Sequence, residues 1–235
     1  MPHGAALPTH FSHVMTHPIA DQTTADQPKV EGFMDWFHVN SRWVGIGAIV
    51  ALAAIGGTWY AMRAKAIKLE NADRQLLVAK QSVASGNVPL AESDLQKVAD
   101  RYAGTTAGAE AGLMLGQLRL QKGDFQGAAN YLKTLVPKLD GPNAAAAKGL
   151  LGDSYSQLDK PAEAAAEYES AASTTTMPSE KAFYLARAGN AYMAANKNAD
   201  ARRIWETLSK QEDNPAVAAE AKVRLGALTA QAAQS

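Results

Sequence analysis

Two patterns of apolar and polar positions divide the chain. The first runs from Trp43 to Met62, where twenty residues, WVGIGAIVALAAIGGTWYAM, carry no charge and lie between Arg42 and Arg63. At about 1.5 Å per residue, a helix of this length reaches roughly 30 Å, the thickness of a bilayer's hydrocarbon core. Trp43 stands at one edge and Trp59 with Tyr60 at the other, as side chains of an aromatic belt would. The stretch is predicted to be a transmembrane helix. It reads as an uncleaved signal anchor, because the polar segment before it and the apolar run itself are both too long for a cleaved signal peptide. One face of the span is small: Gly47, Ala51, Ala54 and Thr58 fall at i, i+4, i+7 and i+11, a spacing suited to close helix packing in lipid.

The second pattern begins near Ala66 and is periodic. The pairs Leu115–Gly116, Leu151–Gly152, Ala188–Gly189 and Leu225–Gly226 set glycines 36, 37 and 37 residues apart, and one period further back lies Ala79. Twelve residues after each of these anchors comes a small residue: Ala91, Ala128, Ala164, Ala201. Four further on stands a large one (Leu95, Leu132, Tyr168, Trp205), and three beyond that Val98, Leu135, Ala171 and Leu208. Between the halves recur Ser85-Gly86-Asn87, Lys122-Gly123-Asp124, Asp159-Lys160 and Asn196-Lys197-Asn198, residues that favour turns. Each period is a helix–turn–helix, with the small residue where two antiparallel helices touch and the large one filling the space beside it. The units are predicted over about 66–104, 106–140, 143–176 and 179–213. Pro215 to Ala230 would form a last helix carrying only the first half of the motif, a cap on the array. Pro137, Pro142, Pro178 and Pro215 fall near the unit boundaries, where proline ends helices at little cost.

Ahead of the span, residues 1–29 mix Pro2, Pro8, Pro18 and Pro28 with Thr, Gln and His and show no apolar period. That composition predicts a disordered or partner-bound tail. His10, His13 and His17 have a spacing that one helical stretch could turn toward a metal, but Pro8 and Pro18 oppose such a helix, and a solvated polar tail is the favoured reading. Residues 30–42 are predicted as an interfacial amphipathic helix, with Phe33, Trp36 and Phe37 at helical spacing.

Composition removes several functions. Lysine plus arginine equals aspartate plus glutamate at 23 each, so no basic excess marks a nucleic-acid partner. Cysteine is absent, and all five histidines precede the span. The periodic region therefore holds no thiol or serine–histidine relay and no histidine-bound metal. It also lacks a P-loop or a strand-associated glycine fingerprint. The carboxylates Glu163, Glu167 and Glu169 have the spacing of a solvated helix face. The expectation is a non-enzyme with no cofactor, no metal site, no small-molecule substrate and no nucleic acid.

The order of small and large positions resembles the tetratricopeptide repeat, most closely in the third and fourth units, where Tyr155 and Tyr192 occupy the family's first-helix tyrosine position. Ser82 and Arg119 stand there in the first two, and the period exceeds the family's 34 residues. The resemblance implies an all-α chain: one N-terminal transmembrane helix, then a curved solenoid of about four helix pairs and a capping helix, over 66–235. Its concave face would include Leu113, Gln117, Asp153, Phe183, Arg187 and Asn190 as partner-binding residues.

The segments VEGFMDWFHVNSRWVGIGAIVALAAIGGTWY and LENADRQLLVAKQSV carry a second likeness. Nearly the whole chain after residue 29 is similar to the YfgM-type ancillary subunits of the SecYEG translocon, although that family has a short acidic lead in place of the His/Pro tail. This resemblance implies a bacterial inner-membrane anchor, a periplasmic repeat domain, and association with the translocon and periplasmic chaperones. The flanking charges oppose that orientation. Lys29 and Arg42 precede the span, whereas Arg63, Lys65, Lys68, Arg74 and Lys80 follow it, which by the positive-inside rule favours a cytoplasmic repeat domain. The periplasmic orientation is the one expected here. Two roles fit: a non-catalytic adaptor accessory to an inner-membrane complex such as the Sec translocon, or a structural subunit of a photosynthetic or respiratory complex whose span and tail pack against partner subunits.

Overall fold

The computed structural model describes residues 34, 36 and 38–233. The histidine-bearing tail over 1–29, and Phe33 and Phe37 of the expected interfacial helix, lie outside them. Met34, Trp36, His38 and Val39 are helical. The described residues hold helices, turns and no strand. The chain divides into two units between Tyr60 and Ala61.

In the first unit, helix α1 (Ser41–Ala84) begins and carries the uncharged segment. It is long and apolar enough to cross a membrane, and none of its most apolar stretch is buried against protein. Ile49 and Leu52 are about two-thirds exposed (67% and 68%). Gly47, Ala51, Ala54 and Thr58 all lie on exposed positions, and the Thr58 hydroxyl donates back to the carbonyls of Ala54 and Ile55 at 2.9 Å. A threonine thus meets its hydrogen-bonding demand inside its own helix.

The second unit is a stack of helix pairs. The last turns of α1 pair with α2 (Val88–Arg101), α3 (Thr106–Gln121) with α4 (Phe125–Leu135), α5 (Gly141–Gln157) with α6 (Pro161–Thr174), and α7 (Pro178–Ala194) with α8 (Asn198–Ser209). Helix α9 (Pro215–Ala232) packs on α8, and no second helix follows it among the described residues. A short 3-10 turn, Val136–Lys138, leads from the second pair to the third.

The turn inside each pair has one chirality demand. Gly86, Gly123, Asp159 and Asn196, each seven residues past an anchor, have φ of 73°, 82°, 57° and 57°. Glycine adopts this left-handed region freely and Asn and Asp tolerate it, so the four turn sequences are equivalent solutions to one geometry. The next residue starts the second helix. Asn87 and Asp124 cap it with side-chain oxygens that accept from Leu90 and Gly127 N–H, while Lys160 and Lys197 stand there without a side-chain cap.

The anchors explain the period. A Cβ built on Gly116 would stand 2.7 Å from Leu132 Cδ2; on Gly152, 2.5 Å from Tyr168 Cε1; on Gly189, 2.7 Å from Trp205 Cε2. Each first helix thus lacks a side chain at the spot where its partner's large residue lands. In the first pair Ala79 and Leu95, both fully buried, take the same two places. At Gly226 a Cβ would meet nothing within 4 Å, since among the described residues no second helix follows α9. Two buried clusters result. One gathers Ala72, Leu76, Ala79, Leu95, Val98, Ala111 and Leu115; the other runs from Ala128 and Leu132 through Leu151, Tyr168 and Trp205 to Leu228. Tyr131 packs against both.

Candidate functional site

First helices are held to the preceding pair from one register position, three residues past the anchor. Arg119 Nε donates to Glu92 Oε1 at 2.9 Å, the ring of Tyr155 lies 5.3 Å below the Lys133 ammonium, and the Tyr192 hydroxyl donates to Glu169 Oε2 at 2.9 Å. Ser82 holds this position in the first pair and donates instead to Asp94 of its own second helix at 2.8 Å. These residues tie unit to unit, and the sequence alignment could place them in one column without showing what they reach.

Two of the ties are electrostatic. Lys122 and Arg119 converge on Glu92, and their hydrogen bonds hold its carboxyl below the ordinary carboxylate value. Arg203 grips Glu169 with both guanidinium nitrogens at 2.8 and 3.0 Å, which depresses the Glu169 pKa and raises that of Arg203. Glu169 is thus not simply solvated, as its spacing suggested. Glu167 is half-buried too, and desolvation pushes its carboxyl up.

Along the first helices runs a groove of about 520 Å³ lined by Gln117, Leu120, Gln121, Phe125, Leu150, Asp153, Ser156, Gln157 and Arg187. Gln117, Asp153 and Arg187 among the expected partner-binding residues meet here. Leu113 is half-buried and packs against the larger apolar cluster, so its side chain serves the core. Phe183 is 55% exposed, edge-on to Tyr184, and Asn190 is exposed; neither lines this groove. The lining alternates amides with apolar side chains, an arrangement that can satisfy the backbone of an extended segment and seat its side chains.

The groove's charged end is a closed cluster. Tyr168, almost fully buried, donates its hydroxyl to Asp153 Oδ1 at 2.6 Å; Arg187 pairs with the same carboxylate and donates to the Tyr168 oxygen at 2.9 Å. The guanidinium also stacks 4.4 Å from the Tyr168 ring and 5.5 Å from that of Phe183. Burial, and then the bond to Asp153, raise the Tyr168 pKa, which keeps it a neutral donor. One unit on, Arg224 lies 5.9 Å over Trp205 in the same register. In the two earlier junctions the place two before the anchor is held by Met114 and Leu150, each half-buried on the apolar core that contains Leu95 or Leu132. Aliphatic meets aliphatic, and arginine meets aromatic. That pairing of Tyr168 with Arg187 and Trp205 with Arg224 was present in the columns of the alignment but goes unnoticed unless adjacent units are compared.

The tetratricopeptide repeat-like domain family matches residues 34–140 and 71–184. No curated protein matches the sequence. Among solved structures, a tetratricopeptide repeat protein from Parabacteroides merdae ATCC 43184 is similar with a TM-score of 0.55 and 13% identity, over 69% of this chain and 61% of that one. The chain therefore spans less than two thirds of that protein's length. The nearly identical TPR-like repeats of a Podosopora anserina protein designated a kinesin light chain give a TM-score of 0.52 and 17% identity, over 69% and 87% of the two chains. At these identities the likeness is one of fold: an all-helical repeat array, an architecture that serves as a protein-interaction scaffold and is typically non-catalytic.

Proposed function

Because this chain belongs to the tetratricopeptide repeat-like domain family, we propose that it is a membrane-anchored scaffold that binds another protein along its first helices. The observation that carries the reading is the amide-rich groove from Gln117 to Arg187, which crosses three consecutive pairs and exposes hydrogen-bonding side chains beside Leu120 and Leu150. An extended partner segment laid there has donors and acceptors for its peptide groups, and the apolar patches seat its side chains. The uncharged part of α1 supports the anchoring half of the proposal. With the resemblance drawn from the anchor sequence, it favours an accessory role in a bacterial inner-membrane complex such as the Sec translocon, with the repeats on the periplasmic side and no catalytic role. The small face Gly47, Ala51, Ala54 and Thr58, exposed along the span, favours a second reading as a structural subunit of a photosynthetic or respiratory complex, with that face against a partner helix.

The experiment is purification of the full chain in mild detergent with quantitative mass spectrometry of what accompanies it. An adaptor yields a substoichiometric partner that Gln117→Ala/Gln157→Ala removes. A structural subunit yields a fixed stoichiometry that Gly47→Leu/Ala51→Leu disrupts and the groove variant leaves intact. Protein released from membranes by alkaline carbonate would sink the anchor in both readings.

A further inference from the structure

The basic residues that open the second unit have no acidic partner. Helix α1 carries no carboxylate from Ser41 to Leu69, and near the end of that stretch Arg63, Lys65 and Lys68 follow the uncharged run in quick succession. The first acid, Glu70, is taken by Arg74 at 2.5 Å. Among the described residues, none of the three cations has an ion pair or a side-chain hydrogen bond.

Their setting shows what they face. Every residue from Ala61 to Asn71 is helical and exposed, and Ala72 is the first buried residue of α1, so none of the described repeats covers this segment. Around the cations stand Met62, Ile67 and Leu69, which are 73%, 47% and 39% exposed. At about 100° per residue, Arg63, Lys68 and Lys65 leave the helix axis about 140°, 60° and 160° apart in turn, a ring and not a stripe. A protein or nucleic-acid surface meets one side of a helix. Charged and apolar side chains mixed around the whole circumference match a medium that surrounds it. From Arg63 to Lys68 the helix rises about 7.5 Å, close to the depth of one headgroup layer, about 5–7 Å beyond the hydrocarbon core.

We propose that Arg63, Lys65 and Lys68 form a binding collar for anionic phospholipids, each cation donating to a phosphate oxygen while Ile67 and Leu69 stay in the interfacial layer, out of bulk water. Basic side chains suit this place because their methylene stems lie along apolar surface and their heads reach the phosphates. Three cations with no acid beside them carry a net charge that a zwitterionic headgroup does not neutralise and an anionic one does. A basic residue at an anionic surface is worth about fivefold, so the collar should prefer an anionic lipid by on the order of a hundredfold. The proposal rests on the membrane-anchored reading above and adds to it the class of lipid.

The test uses the full chain in a neutral detergent and native mass spectrometry, with phosphatidylglycerol and phosphatidylcholine of identical acyl chains titrated in turn. The expected result is phosphatidylglycerol adducts at a lipid concentration on the order of a hundredfold lower. Arg63→Gln/Lys65→Gln/Lys68→Gln brings the two lipids to parity while helix content and melting midpoint stay unchanged. Lys160→Gln/Lys181→Gln/Lys210→Gln removes the same charge from the repeats and keeps the preference. Arg63→Lys/Lys65→Arg/Lys68→Arg keeps it too, because charge carries it. Inorganic phosphate in excess leaves the adducts in place. Parity in the wild-type chain overturns the collar, as does a preference that survives the glutamine variant. Displacement by inorganic phosphate overturns it as well, since the site would then take a soluble anion. A chain that resists alkaline carbonate yet treats both lipids alike loses the collar and keeps the anchor; one that carbonate releases loses both.

Discussion

Gly152→Ala should destabilise the fold, whereas the same change at Gly226, in the same register, should stabilise it. A Cβ on Gly152 would stand 2.5 Å from Tyr168 Cε1 and 2.7 Å from Cδ1, closer than side chains pack. The ring cannot swing clear, because it is 2% exposed and its hydroxyl is fixed by Asp153 and Arg187. Replacing glycine in a helix interior gains about 1 kcal/mol. Against that, forcing a packed ring aside costs about 1–3 kcal/mol, and each hydrogen bond loosened costs about 1 kcal/mol more. The net expectation is a loss of about 1–3 kcal/mol, or a fall of roughly 3–10 °C in melting midpoint for a domain of this size. At Gly226 nothing lies within 4 Å, so only the helix term acts and the midpoint should rise by about 2–4 °C. Thermal unfolding of the detergent-solubilised chain, followed by circular dichroism at 222 nm, reads both. The double variant Gly152→Ala/Tyr168→Leu recreates the Ala79–Leu95 pair of the first unit and should recover most of the loss. A Gly152→Ala midpoint at or above wild type would refute the idea that absent side chains set the helix spacing.

At the left-handed turn positions, Asp159→Ala or Asn196→Ala should each cost about 1 kcal/mol, while glycine should be neutral or stabilising; chemical denaturation midpoints separate the two outcomes. Lys197→Asp should add about 1 kcal/mol, since Lys197 (φ −86°, ψ 65°) already has the backbone of the capping Asp124 (φ −81°, ψ 63°) and lacks only the accepting oxygen; an unchanged melting midpoint would count against it. Glu169 and Glu92 titrate below the ordinary carboxylate value of 4.5 when folded, so their ties are present above that value and are lost as pH falls through the depressed range. Acid unfolding should therefore steepen below pH 4.5, and Arg203→Gln should flatten it; superimposable acid curves would remove the Glu169 tie from the account.

Much of the array is legible in the sequence because its determinants are local and repeat. The small residue and the large one four further on lie on one turn of a helix, and the turn residues answer a backbone demand, so both survive in a one-dimensional pattern. First helices are harder to read. Helix α3 and helix α5 are covered on one side by their own second helix and on the other by the preceding pair, so apolar and small residues ring much of their circumference and the stripe blurs. The second helices α4 and α8 face the core on one side and keep a sharp stripe. Of the six residues assigned to the concave face, Gln117, Asp153 and Arg187 line one groove, whereas Leu113 turns to the core and Phe183 and Asn190 do not line it. A register assigns a residue to the first helix, but whether its long side chain crosses to a neighbour depends on what the neighbour offers. Nothing in the string KGLLGDSYSQ says that Asp153 will be claimed by a tyrosine and an arginine from two other helices.

The break between the two buried clusters has a mechanical consequence. Tyr131 packs against both, and helix α3 is shared between them, with Leu115 in the smaller cluster and Leu113 and Leu120 against the larger. Tension acts equally at both ends, and the cluster with fewer buried residues, that of Leu76, Leu95 and Leu115, should part first while the Leu132-to-Leu228 body stays closed. Optical-tweezer extension between residues 61 and 233 should then show an early rip for the leading cluster and a later, longer one for the rest. Tyr131→Ala should lower the force of the first rip more than that of the second.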